Sequence, residues 1–187
     1  GLVGPGLGLG VAGLSLHAGQ WHALSGEGGH VTLSASNPLE WAVLQCLQKK
    51  WGHVSAERVL SGPGLVNLYQ ALSDIAGQPI VPYQAKDIGV MAFERFEPQA
   101  LQAFQLFAGW LGVVASDVAL TLGAQGGMYI GGGIVPRYLD WFATSCFRSR
   151  FDDKGRFSPY LQSIPVYVIR ADIPPALHGA RRVLMKV

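Results

Sequence analysis

Between Asn37 and Trp51 the apolar residues Leu39, Val43, Leu44, Leu47 and Trp51 recur at helical spacing. That recurrence marks one face of an amphipathic helix. Asn37 followed by Pro38 supplies an N-cap and a proline at the first helical position, so the helix is predicted to start there. A second repeat, Leu65, Leu68, Tyr69, Leu72, Ile75 and Ala76, runs on to Gly77, which serves as a C′ stop. Before it, Ser55 caps a short helix through Leu60, broken by the turn Ser61-Gly62-Pro63-Gly64. Asp87 caps a further helix to about Arg95. Pro98 opens the longest helix, which ends at Gly123, and Pro136 starts one through about Phe147.

The extended segments are short. Gly10 to Leu16 and Gln20 to Leu24 flank His17-Ala18-Gly19 and read as a hairpin. Gly1-Leu2-Val3 reads as the end of a buried strand whose beginning is missing, which implies a fragment. Gly127 to Ile130 forms a second buried strand, and Val166 to Arg170 an edge strand. Strands alternating with helices indicate an α/β domain.

Composition narrows the class. The chain has 187 residues, is 49% hydrophobic and only 14% charged, against a typical charged fraction of about 25%. A chain of this length buries about 70% of its unfolded surface, enough for a core without a metal or disulfide staple. The low charge implies either that much of the chain is interior or that part of its surface is ordinarily covered. A net charge of +2 with scattered basic residues excludes nucleic acid as the expected partner. The first sixteen residues carry no charge, but they have no basic n-region and are interrupted by glycine at 1, 4, 6, 8, 10 and 13. They read as a glycine loop, and no membrane anchor is expected. Phe104 to Leu122 is interrupted by Ser116 and Asp117 and reads as a core helix, with Asp117 held by a structural hydrogen bond. Cys46 and Cys146 match no metal spacing and read as two buried, reduced thiols in a cytoplasmic protein.

Three segments carry candidate chemistry. Gly4-Pro5-Gly6-Leu7-Gly8-Leu9-Gly10 presents backbone amides with few side chains in the way, as close approach of a phosphate requires. Gly8, Gly10 and Gly13 formally match a dinucleotide fingerprint, but that motif needs a helix directly after the glycines, and a hairpin follows instead. Gly26-Glu27-Gly28-Gly29-His30 sets a carboxylate and an imidazole three residues apart on a pliable backbone. Such a pair can bond sugar hydroxyls, and no third ligand lies nearby to make a metal site. Glu57 stands in the first turn of a short helix, where the helix dipole favours a carboxylate whatever its role.

The stretch from Gly52 to Tyr69, GHVSAERVLSGPGLVNLY, closely resembles a signature of the bacterial glucokinases within the actin-like sugar-kinase superfamily. The glycine run 4–10, the 26–31 loop, Gly132-Gly133-Ile134-Val135-Pro136-Arg137, Asp153-Lys154-Gly155-Arg156-Phe157 and Ile164-Pro165-Val166-Tyr167 resemble further motifs of that family in the same order. The resemblance covers essentially the whole chain. It implies an actin-like ATPase (ribonuclease H-like) α/β fold, a mixed sheet flanked by helices, corresponding to the large C-terminal lobe.

By the same resemblance Glu27, His30 and Glu57 hold glucose. Gly6, Leu7 and Gly8 form the second phosphate loop, and Ser61, Gly62, Gly132 and Gly133 contact the adenosine of ATP, which acts with Mg2+. No structural metal is implied, and family members are commonly homodimers in the cytoplasm. Two departures stand out. Leu7 occupies a position where the family usually has threonine, and the first phosphate loop and catalytic aspartate belong to an N-terminal lobe this chain does not show. The chain alone is therefore expected to be deficient in glucose phosphorylation, and without that lobe the apolar surface near Gly1 to Leu9 and along the helix from Pro98 is expected to be uncovered or repacked. The alternative reading is a non-enzymatic sugar-binding or interaction module.

Overall fold

The computed structural model describes residues 1–173 and 175–185. Strands β1 (Leu2–Pro5), β2 (Leu9–His17), β3 (Gln20–Gly26), β4 (Met128–Ile130) and β5 (Val166–Val168) form one sheet in the order β3-β2-β1-β4-β5. β1, β2 and β3 are antiparallel neighbours, whereas β1 runs parallel to β4 and β4 to β5. This is the expected mixed sheet. Ala18 and Gly19 both take positive φ, 48° and 75°, and join His17 to its partner Gln20. That two-residue connection matches the right-handed twist of the strands it joins.

The helices are α1 (Pro38–Trp51), α2 (Gly62–Ile75), α3 (Ala85–Phe93), α4 (Pro98–Leu122), α5 (Leu139–Ala143), α6 (Phe147–Asp152), α7 (Ser158–Gln162) and α8 (Pro175–Leu184). α1 begins as its cap predicts, with Asn37 Oδ1 accepting from the Glu40 N–H at 2.9 Å. α4 is the spine of the core. Phe104, Phe107, Trp110 and Leu111 on it are fully buried, and Trp110 Nε1 donates to the Ser34 carbonyl at 2.8 Å. Among the described residues α4 is the one helix long and apolar enough to cross a membrane, but 78% of its apolar stretch is packed inside this protein. It serves as a core helix. Gly123, in the left-handed conformation at φ 60°, ends it where expected.

Several local expectations are corrected. The Ser61-Gly64 segment is the N-cap and first turn of α2, because the Ser61 hydroxyl accepts the Gly64 N–H at 2.9 Å and so starts the helix at Gly62, three residues before its apolar stripe at Leu65. The helix after Ser55 is a single 3-10 turn, Ala56–Arg58, without a side-chain cap. Asp87 lies inside α3 and accepts from the Gln84 N–H at 2.9 Å, which makes Gln84 the cap position. Pro136 lies in a 3-10 turn, Val135–Tyr138, that leads into the short α5, which ends at Ala143. There the Thr144 and Ser145 hydroxyls bond back to the Trp141 and Phe142 carbonyls, a competing pairing that breaks the helix before α6. The edge strand β5 stops at Val168.

The surface also differs from expectation. Val3 and Leu9 are buried and α4 is mostly covered, so, apart from Leu7 and Leu122, the exposed large apolar side chains among the described residues lie elsewhere, several of them on the hairpin and α8. Those sit at Leu14, Leu16 and Trp21 on the hairpin and at Leu177, Val183 and Leu184 on α8. Cys146 is exposed rather than buried, because it lies in the α5–α6 break; Cys46 is half-buried, and both thiols are free. Asp117 pairs with Lys154 Nζ at 2.7 Å on the exposed side of α4.

Candidate functional site

Leu9 is the residue around which the three candidate segments assemble. It directly follows the glycine turn, and its own N–H donates to Glu57 Oε2 at 2.9 Å. Its carbonyl oxygen lies so close to Gly29 that a Cβ there would sit 2.3 Å from it. The loop holding Glu27 and His30 can therefore reach this position only with a glycine at 29. Glu57 itself is half-buried, on the 3-10 turn that follows Ser55. That turn is stitched to the 26–31 loop, since the Ala56 N–H donates to the Val31 carbonyl at 3.0 Å and Thr32 bridges Ser55.

The three predicted sugar-binding residues are thus brought to one place from two segments about thirty residues apart. Glu27 and His30 are both exposed, with carboxylate and imidazole 4.0 Å apart. Neither is engaged by the rest of the protein, so both can turn toward a ligand. Glu57 has one oxygen on the Leu9 amide, and its own carbonyl accepts from the Ser61 hydroxyl at 2.8 Å. Its second carboxylate oxygen is available to accept from a hydroxyl.

The predicted nucleotide residues divide by location. Gly6, Leu7 and Gly133 line a cavity of about 350 Å³, within the usual range for small-molecule sites. Gly62 stands at the start of α2 and donates its N–H to the Gly6 carbonyl at 2.8 Å. Gly132, at φ 77°, packs on the Pro5 carbonyl, where any Cβ would collide. Gly8 faces Glu57 rather than the cavity. Ser61 is 2% exposed, and its hydroxyl is engaged twice inside the protein, so it shapes the site through α2 and offers a ligand no free group.

The cavity adds residues to which sequence reasoning gave no role. Lys86, Arg137, Ile134 and Tyr138 line it together with Leu65 and Ala85. Two cations and a set of apolar walls suit a ligand with an anionic tail and a flat apolar body. Tyr138 belongs to an aromatic cluster with Phe93, Phe104 and Trp141, ring centroids 4.6 to 5.5 Å apart, which holds that wall rigid. Lys86 gave no signal of this in the sequence, because an exposed lysine next to Asp87 in the first turn of a helix reads as ordinary surface. A second cavity of about 280 Å³, between the hairpin and α4, is lined mainly by Val11, Leu24, Val113, Val114, Val118 and Leu122. Ser25, Thr32 and Asp117 add polar groups to its wall.

Comparison with known proteins identifies the family. The family model described as glucokinase matches residues 1–187, the entire chain. A glucokinase of Aromatoleum aromaticum is 52% identical over 179 residues, covering 96% of this chain and 54% of that protein. The chain spans about half the length of the curated relatives it matches. Among solved structures, a glucokinase from an Antarctic psychrotroph superposes with a TM-score of 0.86 at 39% identity, covering 92% of this chain and 54% of the other. The glucokinase of Balamuthia mandrillaris, solved in complex with glucose, shares the fold with a TM-score of 0.79 at 23% identity, covering 96% of this chain and 52% of the other. With the family model matched over its whole length and a relative 52% identical over 96% of it, the chain belongs to the glucokinase family.

Proposed function

We propose that the protein containing this chain phosphorylates glucose at its 6-hydroxyl with ATP, and that this chain supplies its large lobe. The observation that carries this reading is the convergence on Leu9: one backbone position joins the Glu27–His30 loop, Glu57 and the glycine turn. A sugar held by the first two would lie against the third.

In this reading Glu27, His30 and Glu57 bond the sugar's hydroxyls and fix its orientation, which is the main contribution a kinase makes to a loose phosphoryl-transfer transition state. ATP supplies the transferable phosphoryl group. The fit of this chain to ATP rests on Gly6 and Gly133 lining a cavity that also holds Lys86 and Arg137. The glycine backbone admits phosphates closely, while the two cations offset their charge and the Ile134 and Tyr138 wall faces the base. Among the described residues no group of three or more His, Cys, Asp or Glu could cage a metal ion, and Mg2+ would arrive held mainly by the phosphates of ATP. The general base that receives the O6 proton is assigned to the other lobe, and the isolated chain is deficient in turnover.

The test is calorimetric titration of the chain with glucose, repeated on Glu27→Gln, with NAD as a control ligand. Glucose binding that the substitution abolishes supports the sugar site. Absence of binding at millimolar glucose removes the support for it. A coupled assay for glucose 6-phosphate completes the test, since more than trace formation by the chain alone would contradict the assignment of the base to another lobe. Leu7, 96% exposed and without a hydroxyl at the tip of the glycine turn, favours a second reading in which the lobe binds sugar without catalysis. Glucose binding without nucleotide binding would select that reading.

A further inference from the structure

We propose that His53 is a positioning residue for the sugar site: its imidazole holds Thr32 and so fixes the segment carrying Glu27 and His30 against the segment carrying Glu57. The inference rests on the proposed sugar site and adds to it a residue that acts through the others.

The two segments meet along a short seam. The Val31 carbonyl accepts the Ala56 N–H and the Val54 carbonyl accepts the Leu33 N–H, both at 3.0 Å, on either side of the single antiparallel bridge between Thr32 and Ser55. His30 directly precedes this seam and Glu57 directly follows it, so its register sets where the imidazole of His30 stands relative to the carboxylate. One bridge is well short of a strand of ordinary length, about five residues. Beneath it Leu33, Val54 and Ala56 are buried, but apolar burial is non-directional and holds the segments together without choosing a register.

Directional bonds choose it, and His53 supplies one of them. The Thr32 hydroxyl and His53 Nε2 stand 2.9 Å apart, and among the described residues this is the one side-chain hydrogen bond between the two segments. The hydroxyl can donate to a bare ring nitrogen or accept from one that carries hydrogen, so either tautomer closes the bond. His53 is itself fixed at the end of α1, because its N–H donates to the Trp51 carbonyl at 2.9 Å and the Gly52 N–H to the Gln48 carbonyl at 2.8 Å. The clasp therefore ties the sugar loop to a helix of 14 residues rather than to another loop. Both side chains are exposed, where one hydrogen bond adds little to the stability of a whole domain. Its loss should show in sugar binding before it shows in unfolding.

The test is calorimetric titration of the chain with glucose and, separately, with ADP, on the wild type, Thr32→Val, His53→Leu, the double variant and His53→Gln, with thermal unfolding of each. Thr32→Val removes the hydroxyl and keeps the branched shape, whereas His53→Gln keeps a polar group near the place of Nε2. Thr32→Val and His53→Leu should each weaken glucose by about threefold to tenfold, the range that one net hydrogen bond spans, with ADP affinity and the unfolding transition unchanged. The double variant should lose no more than either single one, since both cut the same bond. His53→Gln should restore most of the affinity. Hydrogen exchange at the Ala56 amide should speed up in both single variants before any ligand is added. If His53→Leu unfolds, Thr32→Val, which changes only the hydroxyl, decides alone. Wild-type glucose affinity in the folded single variants, additive losses in the double one, or equal losses of glucose and ADP overturn the positioning role and leave the sugar site standing. Failure of glucose to bind the wild-type chain overturns the sugar site, and the positioning role with it.

Discussion

Glu40 and Arg150 stand 110 residues apart in the chain, and Arg150 Nη2 meets Glu40 Oε1 at 2.8 Å. Glu40 is 2% exposed, and its other oxygen accepts the Ser36 N–H at 2.7 Å. The pair ties the first turn of α1 to α6, which packs along α4. This clamp sits away from the candidate site, and its energetics test the fold independently of function.

Glu40→Ala would leave the Arg150 guanidinium in a mostly buried place with no counter-charge, and Arg150 Nε is already a buried donor without a partner. Breaking a buried pair from one side costs about 3 kcal/mol or more. Urea unfolding should show that loss as a lower midpoint at an unchanged slope. A loss under about 1 kcal/mol would mean that water reaches the guanidinium and replaces the carboxylate.

Gly112 marks the closest approach of α4 to α6. A Cβ there would lie 2.4 Å from the Phe147 carbonyl oxygen and 3.0 Å from the Phe151 nitrogen. These are backbone atoms and cannot swing aside. Gly112→Ala should destabilise by about 1–3 kcal/mol through overpacking, whereas Gly126→Ala, with nothing within 4 Å, should change stability by less than about 0.5 kcal/mol. Thermal unfolding of the two variants side by side checks the contrast.

Leu7→Thr would restore a hydroxyl at the tip of the glycine turn on the rim of the cavity. One charge-assisted hydrogen bond to a phosphate contributes about 1–3 kcal/mol, roughly a fivefold to 150-fold gain in ADP affinity. An ADP titration showing no gain would place the phosphates away from residue 7.

The two thiols should react slowly with alkylating reagents. Desolvation raises both thiols above the ordinary range; at Cys46 a hydrogen bond and the charge of Asp74 push the same way, whereas at Cys146, whose residue stays partly in solvent, the Arg150 charge opposes it. Since the thiolate is the reacting form, alkylation at about pH 7.5 should lag behind free cysteine and recover as pH rises past the ordinary thiol value. The folded state favours the neutral thiols, so their contribution to stability is complete below the unfolded thiol value and is lost as pH rises through the folded one. Asp74→Asn should speed alkylation at Cys46 and leave Cys146 unchanged, as site-resolved mass spectrometry would show.

The local structure of this chain was legible from neighbouring residues. Asn37-Pro38 marked the start of α1, Gly123 the end of α4, and Ala18-Gly19 the turn of the hairpin, because caps and turns depend on groups within a few residues of each other. The glycine run, the Glu27–His30 loop and Glu57 were likewise legible as candidates. Boundaries failed where side chains compete with the backbone, as Ser61 does by starting α2 early and as Thr144 and Ser145 do by breaking the helix after Ala143.

The tertiary structure alone decided which groups meet. Nothing in the spacing of Leu9 and Glu57, 48 residues apart, announces that a backbone amide of the glycine turn holds the carboxylate. The same is true of Lys86 and Arg137, which reach one cavity from α3 and from the turn after β4. Such pairings arise because a mixed sheet brings the connections after β1 and β4 to the same end, where a hydrogen bond or a charge acts over a few ångströms whatever the separation along the chain. Local chemistry therefore determined the elements and their punctuation, while the order of the strands determined the site.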